Sequence, residues 1–456
     1  MDSLAEEICL EIAQHLSYED PQAVLDLRLV NRKWCRVATP CVGICVPRYD
    51  DPLPGLFNPL TKLTLGLGER PELAGFIREV VLKKQYILWG HVPLATNSPD
   101  QHFLHNSLSA LNQASTIPKE LQENIVSRLL PTDADEAHLA FILAMCPKLE
   151  HIRIPYMSGD CTSRIRRVIR CAREQLLLQA SRPYPLITPP TLLCHLRTLH
   201  LESYTHGFSV ANALDMLTLP KLEHLTLGNL GDEPIITDEA EENALPAITP
   251  LPKPALGHYS TNPIDLSFPS CHLSPAGLMT ILNACAHLQT LYIKLRTRNN
   301  TQQAPTFAQP ILYNGQTLHF LHLDTTSFPS GLSQDPNDTT HETSHHLLSV
   351  ISEMQSLASL IISRRDFDEI SDLESNIPES LKEILIIETY QNADEVEQFR
   401  RLVRGPRTRG LMRVACLPHT LNCMEGWKDL SEICMMLRQV PPRWMLEEFG
   451  CVVYEA

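Results

Sequence analysis

The sequence predicts an α/β chain in two parts: a small module of three helices at the N-terminus, then a long solenoid of stacked strand–helix units with a parallel inner sheet and outer helices. Three observations carry this. A capping pair followed by apolar side chains at four-residue spacing opens the chain. The string Leu-x-x-Leu-x-Leu, with aliphatic substitutes, occurs nine times from about residue 55 onward. Apolar stretches of helical length precede several of those strings, and such a unit can bury its leucines only against its neighbours.

Ser3 with Glu6 three places on forms a capping box, and Leu4, Ile8, Ile12 and Leu16 then share one stripe of a helix of about 13 residues. Ser17-Tyr18-Glu19 ends it. Asp20 caps a second helix whose first position is Pro21, where the missing N–H costs nothing, and Val24, Leu25, Leu27 and Leu29 are its apolar content. Val30, Trp34, Val37 and Ala38 recur at helical spacing in a third, interleaved with Arg28, Arg32, Lys33 and Arg36 and stopped by Thr39-Pro40. Three helices in about forty residues lie near the size below which a chain rarely folds without a metal, a disulfide or a partner. Part of their apolar surface is therefore meant for another protein, helix against groove, or for the rest of this chain.

The strings Leu4-Ala-Glu-Glu-Ile8-Cys-Leu-Glu-Ile12, Leu16-Ser-Tyr-Glu-Asp-Pro-Gln-Ala-Val24-Leu25 and Leu27-Arg-Leu-Val30-Asn-Arg-Lys-Trp34 resemble an F-box. That family's pattern runs roughly Leu-Pro-x-Glu-Ile, a short acidic turn, then Leu-x-x-Leu-x-x-Val-x-Arg-x-Trp. Ala5 stands where the family usually has proline, and Asn31 where cysteine or serine is common. The resemblance implies a docking motif for the Skp adaptor of Skp-cullin-F-box ubiquitin ligases. The matching positions that would carry the contact are Leu4, Ile8, Ile12, Leu16, Leu25, Leu29, Val30 and Trp34.

The nine strings begin at Leu60, Ile77, Leu149, Leu196, Leu222, Leu288, Leu318, Leu357 and Leu381. From Leu149 onward their first residues are 47, 26, 66, 30, 39 and 24 apart, and the 66 divides if Ile264-x-Leu266 is a degenerate repeat. The shorter intervals sit at leucine-rich-repeat length. Leu139 to Pro147 and Leu278 to Cys285 are the helical stretches before two of them. The whole chain thus resembles an F-box protein with a divergent leucine-rich repeat array, and Glu69-Arg-Pro-Glu-Leu-Ala74 leading into Ile77 to Leu82 resembles the segment after the F-box in many filamentous-fungal members. The expected domains are 1–40 for the F-box module, 41–138 for a linker and N-terminal repeat region, and 139–456 for the array with a C-terminal cap.

Segments 182–192, 231–258, 296–310 and 329–346 interrupt the repeats. The first holds Pro183, Pro185, Pro189 and Pro190. The second combines Asp232, Glu233, Asp238, Glu239, Glu241 and Glu242 with Pro246, Pro250, Pro252 and Pro254, so little can pack there. All four are expected as loops. Between them Cys161 to Gln179 is basic, with Arg164, Arg166, Arg167, Arg170 and Arg173 around Ile165, Val168, Ile169, Ala172 and Leu176. Those arginines fit either an exposed helix of the array or a phosphate contact, and the lack of an aromatic platform favours the helix.

Lys+Arg 38 against Asp+Glu 53 leaves a net charge of −15, which disfavours nucleic acid and anionic membrane as partners of the overall field. Proline outnumbers glycine 35 to 18, against a glycine-built phosphate site. No G-x-x-x-x-G-K, G-x-S-x-G or H-E-x-x-H occurs, and the 14 cysteines include no C-x-x-C. No catalytic residue, cofactor or metal site is therefore expected. His341, His345 and His346 read as solvated loop residues or a metal site. Cys146 and Cys285, each three places before a repeat leucine, read as buried turn thiols. With no basic and apolar leader at the N-terminus and no membrane-spanning run, a soluble protein of the cytoplasm or nucleus is expected.

If the repeat leucines point inward, strand alternation turns the residues between them onto the concave sheet face. These are His151, Arg153, His200, Glu202, His224, Thr226, Asp265, Tyr292, Lys294, Phe320, His322 and Asp324. The mixture of His, aromatic and charged side chains suits recognition of a target protein, or a merely solvated face, rather than catalysis. The function this implies is a non-catalytic substrate receptor that docks the Skp adaptor, and through it a cullin, by the F-box and an unidentified target by the repeats. A stand-alone interaction scaffold, with the hairpin capping the solenoid, is the alternative.

Overall fold

Eight of the nine leucine strings coincide with a β-strand, and the ninth is helical. The computed structural model describes residues 5–19, 23, 27, 30–38, 59–81, 101–114, 117–129, 135–157, 163–180, 192–203, 207–232, 263–296, 308–313, 316–324, 350–363, 373, 375–389, 413–418 and 452–455. The chain is mixed α/β with open, mostly parallel sheet. It divides into two compact units, Met1–Asn229 with Glu233–Thr261, and Leu230–Asp232 with Asn262–Ala456. The division falls inside the expected repeat region rather than at residue 40 or 138.

The first unit begins with α1 (Glu6–Glu19) and α2 (Arg32–Ala38), which pack on each other. Asn31 starts α2: its side-chain oxygen accepts the backbone N–H of Trp34 at 2.9 Å, the bond of an N-cap residue. The residue that departs from the F-box pattern is thus a strong cap. Asn31→Ala is expected to lower the stability of the hairpin by about 1 kcal/mol, read from its urea midpoint.

Next come α3 (Pro59–Glu69), a 3₁₀ turn (Pro71–Phe76), β1 (Glu79–Val81), α4 (Gln101–Ala114), α5 (Lys119–Ser127) and α6 (Asp135–Met145). The Leu60/Leu63/Leu65 string, expected as a repeat strand, lies in α3. Its apolar pattern continues to Leu67, and Leu60, Leu63, Thr64 and Leu67 are buried at i, i+3, i+4 and i+7 against α4 and α6. Gly68 lets α4 approach, since a Cβ there would stand 3.1 Å from the Ser107 hydroxyl. Then follow β2 (His151–Met157), α7 (Ser163–Ala180), β3 (Thr198–Ser203), β4 (Phe208–Ser209), α8 (Val210–Met216) and β5 (His224–Gly231). Strands β1, β2, β3 and β5 are neighbours in that order and parallel, with β4 beside β5.

The second unit holds β6 (Asp265–His272), α9 (Pro275–Leu282), β7 (Thr290–Leu295), α10 (Ala308–Tyr313), β8 (Phe320–Asp324), β9 (Ser359–Ser363), β10 (Glu383–Thr389), β11 (Arg413–Pro418) and β12 (Val452–Glu455). They pair in sequence order, all parallel except β12, which runs antiparallel to β11. Strand β6 begins within the Ile264-x-Leu266 string, with Leu266 in register with Leu291. Ser274 caps α9 by accepting the Gly277 N–H at 3.1 Å, and the Asp232 carboxylate accepts the Ser274 N–H.

Register follows the strings. Val80, Ile152, Leu199 and Leu225 form one row across the first unit, and Leu266, Leu291, Leu321, Leu360 and Ile384 form one across the second; all are buried. One backbone contact recurs at the starts of β2, β3, β5, β7, β8, β9 and β10. The carbonyl of Arg78 accepts the N–H groups of Glu150 and His151, that of Glu150 those of Arg197 and Thr198, and that of Arg197 those of Glu223 and His224. In the second unit Ile264, Gln289, His319 and Ala358 each accept two N–H groups of the following repeat in the same way. The two donors per carbonyl satisfy the first amides of those seven strands.

The basic helix α7 is not an exposed one. Ile165, Val168, Ile169 and Ala172 are buried, and α7 packs on α6 and α8. Arg164 pairs with Glu136 at 2.6 Å and gives the same carboxylate its backbone N–H. Arg170 and Arg173 close on Asp215 at 3.4 and 2.5 Å. Both acids are buried. Burial pushes the Glu136 carboxyl above its ordinary range, and Arg164 opposes that shift. Three of the five arginines are thus occupied neutralising acids within the fold.

Candidate functional site

The hairpin α1–α2 sorts its apolar side chains onto two faces. Cys9, Ala13, Trp34, Val37 and Ala38 are buried between the helices, with Leu10, Leu16 and Leu27 packed against them. Ile8, Ile12 and Val30 face outward, 45%, 37% and 54% exposed. Ile8 and Ile12, four apart, lie one turn above the other on α1. Of the eight residues expected to meet an adaptor, three are therefore exposed, Ile8 and Ile12 on one stripe of α1 and Val30 just before α2, while Leu16 and Trp34 pack in the interior. Leu4, Leu25 and Leu29 lie outside the described residues. Trp34 is 2% exposed, and its indole N–H has no hydrogen-bond partner among the described residues. Its long side chain reaches inward because it is one turn from Val37 and Ala38, which line the same seam.

On the sheet of the first unit, the residues between the repeat leucines are accessible. Arg153 is exposed. His151 and Thr198 are register neighbours of adjacent strands, with Nδ1 of His151 3.1 Å from the threonine hydroxyl. Nε2 of His200 lies 2.7 Å from Glu202. His224 and Thr226 are half-buried on the next strand, opposite Thr198 and His200. Gly228 stands opposite Glu202, and any Cβ there would meet the glutamate Cβ at 2.8 Å, so the glycine is what lets the two strands carry a side chain at this row.

In the second unit the same row is different. Tyr292 and His322 are register neighbours and meet edge to face, with centroids 4.4 Å apart. Lys294 pairs with Asp324 at 2.9 Å. Asp265 and Phe320 are half-buried. His322 and Asp324, expected on an open face, are instead buried, as are Ile361 and Leu385, which continue the His322 row on β9 and β10. Sequence reasoning missed the latter two. The signal was present: Leu360-Ile361-Ile362 and Ile384-Leu385-Ile386 are continuous apolar runs, the mark of strands covered on both faces.

Among the described residues neither ring nitrogen of His322 has a hydrogen-bond partner, and burial lowers its pKa to about 4. His138 on α6 is also driven by burial to about 4; its Nδ1 lies 3.0 Å from the Thr64 hydroxyl, which donates to the Leu60 carbonyl, so Nδ1 carries the proton. In the unfolded chain both rings accept a proton near pH 6.5, whereas the folded protein excludes it until about pH 4. Stability from this source is complete above pH 6.5 and falls as pH drops toward 4, by about 3 kcal/mol per histidine. Urea unfolding between pH 7 and 4.5 checks this, and His322→Phe is expected to reduce the slope while stabilising the protein at pH 7 by about 1 kcal/mol.

Burial raises the Cys285 and Cys271 thiols to about 12, the Cys171 thiol to about 11, and that of Cys146 further still, so all four stay protonated at neutral pH. Cys146 and Cys285 sit in the turns before β2 and β7, as expected for structural thiols. Among the described residues no group of three or more His, Cys, Asp and Glu is placed to hold a metal ion. His341, His345 and His346 lie outside them. No helix among the described residues is long and apolar enough to cross a membrane. No protein-family model matches the chain, and no curated protein matches it.

Proposed function

We propose that the chain is the substrate-recognition subunit of a Skp-cullin-F-box ubiquitin ligase, with residues 1–40 docking the adaptor and a leucine-rich repeat array engaging the target. The observation that carries the reading is the exposure of Ile8 and Ile12 on one stripe of α1, outside the cluster that Cys9, Trp34 and Val37 form. An apolar stripe left outside the helices' shared seam is the form a helix-against-groove contact takes. In support of hairpin docking rather than capping, α1 packs on α2 and on no other described element to a comparable extent. In this proposal His151, Arg153, His200, Glu202 and His224 of the first unit and, separately, Tyr292, Lys294 and Phe320 of the second are the candidate target contacts, while His322 and Asp324 are buried. Ubiquitin transfer would be performed by the bound machinery, which holds a target lysine near the charged conjugating enzyme, and no residue of this chain would touch the chemistry.

The test is co-purification of the full chain with a Skp-type adaptor. Ile8→Glu with Ile12→Glu is expected to weaken the complex at least about 100-fold while shifting the thermal unfolding of the chain little, because both side chains reach the surface. Retention of the adaptor by that variant, or by a chain lacking residues 1–40, overturns the proposal.

A further inference from the structure

The turns that lead into β1, β2, β3 and β5 carry a second surface, separate from the sheet residues assigned above to the target. One place before the first aliphatic residue of each repeat stand Phe76, Lys148, His195 and Lys221; one place after it stand Arg78, Glu150, Arg197 and Glu223. The second set alternates in sign and pairs within itself, Arg78 with Glu150 at 2.6 Å and Arg197 with Glu223 at 3.3 Å. The first set has no acid of its own. Lys148 and Lys221 are exposed, and Nζ of Lys221 lies 3.4 Å from Nδ1 of His195, which a neutral imidazole accepts. Desolvation, and the nearby Lys221, Arg78 and Lys148, lower the His195 pKa, with Glu150 opposing. Four cations against two carboxylates leave +2 here, in a chain whose net charge is −15. At one end of the row Phe76 is 41% exposed, a large apolar side chain turned to solvent.

We propose that this edge binds an acidic polypeptide segment that carries one apolar side chain, laid across the strand starts with the apolar residue on Phe76 and its carboxylates on Lys148 and Lys221. Adjacent strands are about 4.8 Å apart, so three steps from β1 to β5 span roughly 14 Å. That is about four to five residues of extended chain, a short linear segment. A nucleic acid fits less well. Its phosphates are too dense for a surplus of two charges to hold against the overall field, and one phenylalanine makes no stacking platform. An acidic segment instead gains local attraction from the cations and an anchor from the aromatic ring.

The probe is a labelled peptide of one leucine followed by about five glutamates, titrated into the full chain by fluorescence anisotropy. Lys148→Glu with Lys221→Glu is expected to weaken it at least about 10-fold, and Phe76→Ala by roughly 3- to 10-fold. The glutamine counterpart of the peptide is expected to bind at least about 10-fold more weakly, and added salt to weaken the glutamate peptide. All three residues are on the surface, so unchanged circular dichroism accompanies these effects, and unchanged adaptor co-purification separates this site from the hairpin. Equal binding of the two peptides, no effect of the charge reversals, or tighter binding of a single-stranded RNA of equal charge overturns the proposal. So does self-association of the chain at low salt that the same reversals abolish, which assigns the surface to a second copy.

Discussion

Asp215→Ala is expected to lower the unfolding free energy of the protein by about 3 kcal/mol. The carboxylate is buried between Arg170 and Arg173, whose side chains are only 23% and 13% exposed. Its removal leaves two half-buried guanidinium groups facing each other without an acid between them. Such a loss costs more than the pair ever contributed, because the desolvation remains while the attraction is gone. Arg173→Met in the same background is expected to recover part of the loss, since it removes one of the stranded charges. Urea unfolding of the single and double variants, arranged as a cycle, reads the coupling. A drop below about 1 kcal/mol for Asp215→Ala would show that water screens the site and that α7 is held by its apolar face alone.

Trp34→Ala is expected to cost the N-terminal hairpin about 3–5 kcal/mol, more than so small a module can lose and remain folded. The indole is the largest buried side chain of the cluster it forms with Cys9 and Val37. The expected result is rapid proteolysis within residues 5–38 with the strands from β1 onward intact, and the proposed adaptor binding lost with the fold. Ile12→Glu is expected to give the opposite pair of results, a protected hairpin that no longer binds. The contrast matters because Trp34 matches the F-box pattern as well as Ile12 does, yet only one of them is in a position to touch a partner. A Trp34→Ala chain that keeps its protease resistance would mean that α1 and α2 are held by something other than their shared seam.

The repeat strands were legible because two local rules, side-chain alternation and the spacing of the aliphatic residues, agree at each of them. Even the degenerate Ile264-x-Leu266 string falls in register with Leu291. Leu60, Leu63 and Leu65 satisfied the same string, but their continuation to Leu67 satisfied a helix better, and short aliphatic runs do not distinguish the two. Glu136–Arg164 and Asp215–Arg170 join residues 28 and 45 positions apart, a distance over which pattern carries no information. For the hairpin, the composition of both faces is apolar, so the sequence alone marks Ile8 and Trp34 alike. For His322, the missing knowledge was what lies on the other side of the sheet, which alternation along a single strand does not encode.

The carbonyl that accepts two amides from the following repeat has a consequence for how such a chain can change over time. The contact is made by backbone alone, so it sets the step between neighbours whatever the side chains, and whatever the length of chain between the two strands. Repeat starts 24, 30 and 47 residues apart carry the same contact. Insertions and deletions between strands therefore leave the spacing of the sheet untouched. A lineage can lengthen, shorten or replace its loops freely, and acquire new partners through them, while the ladder beneath keeps one pitch.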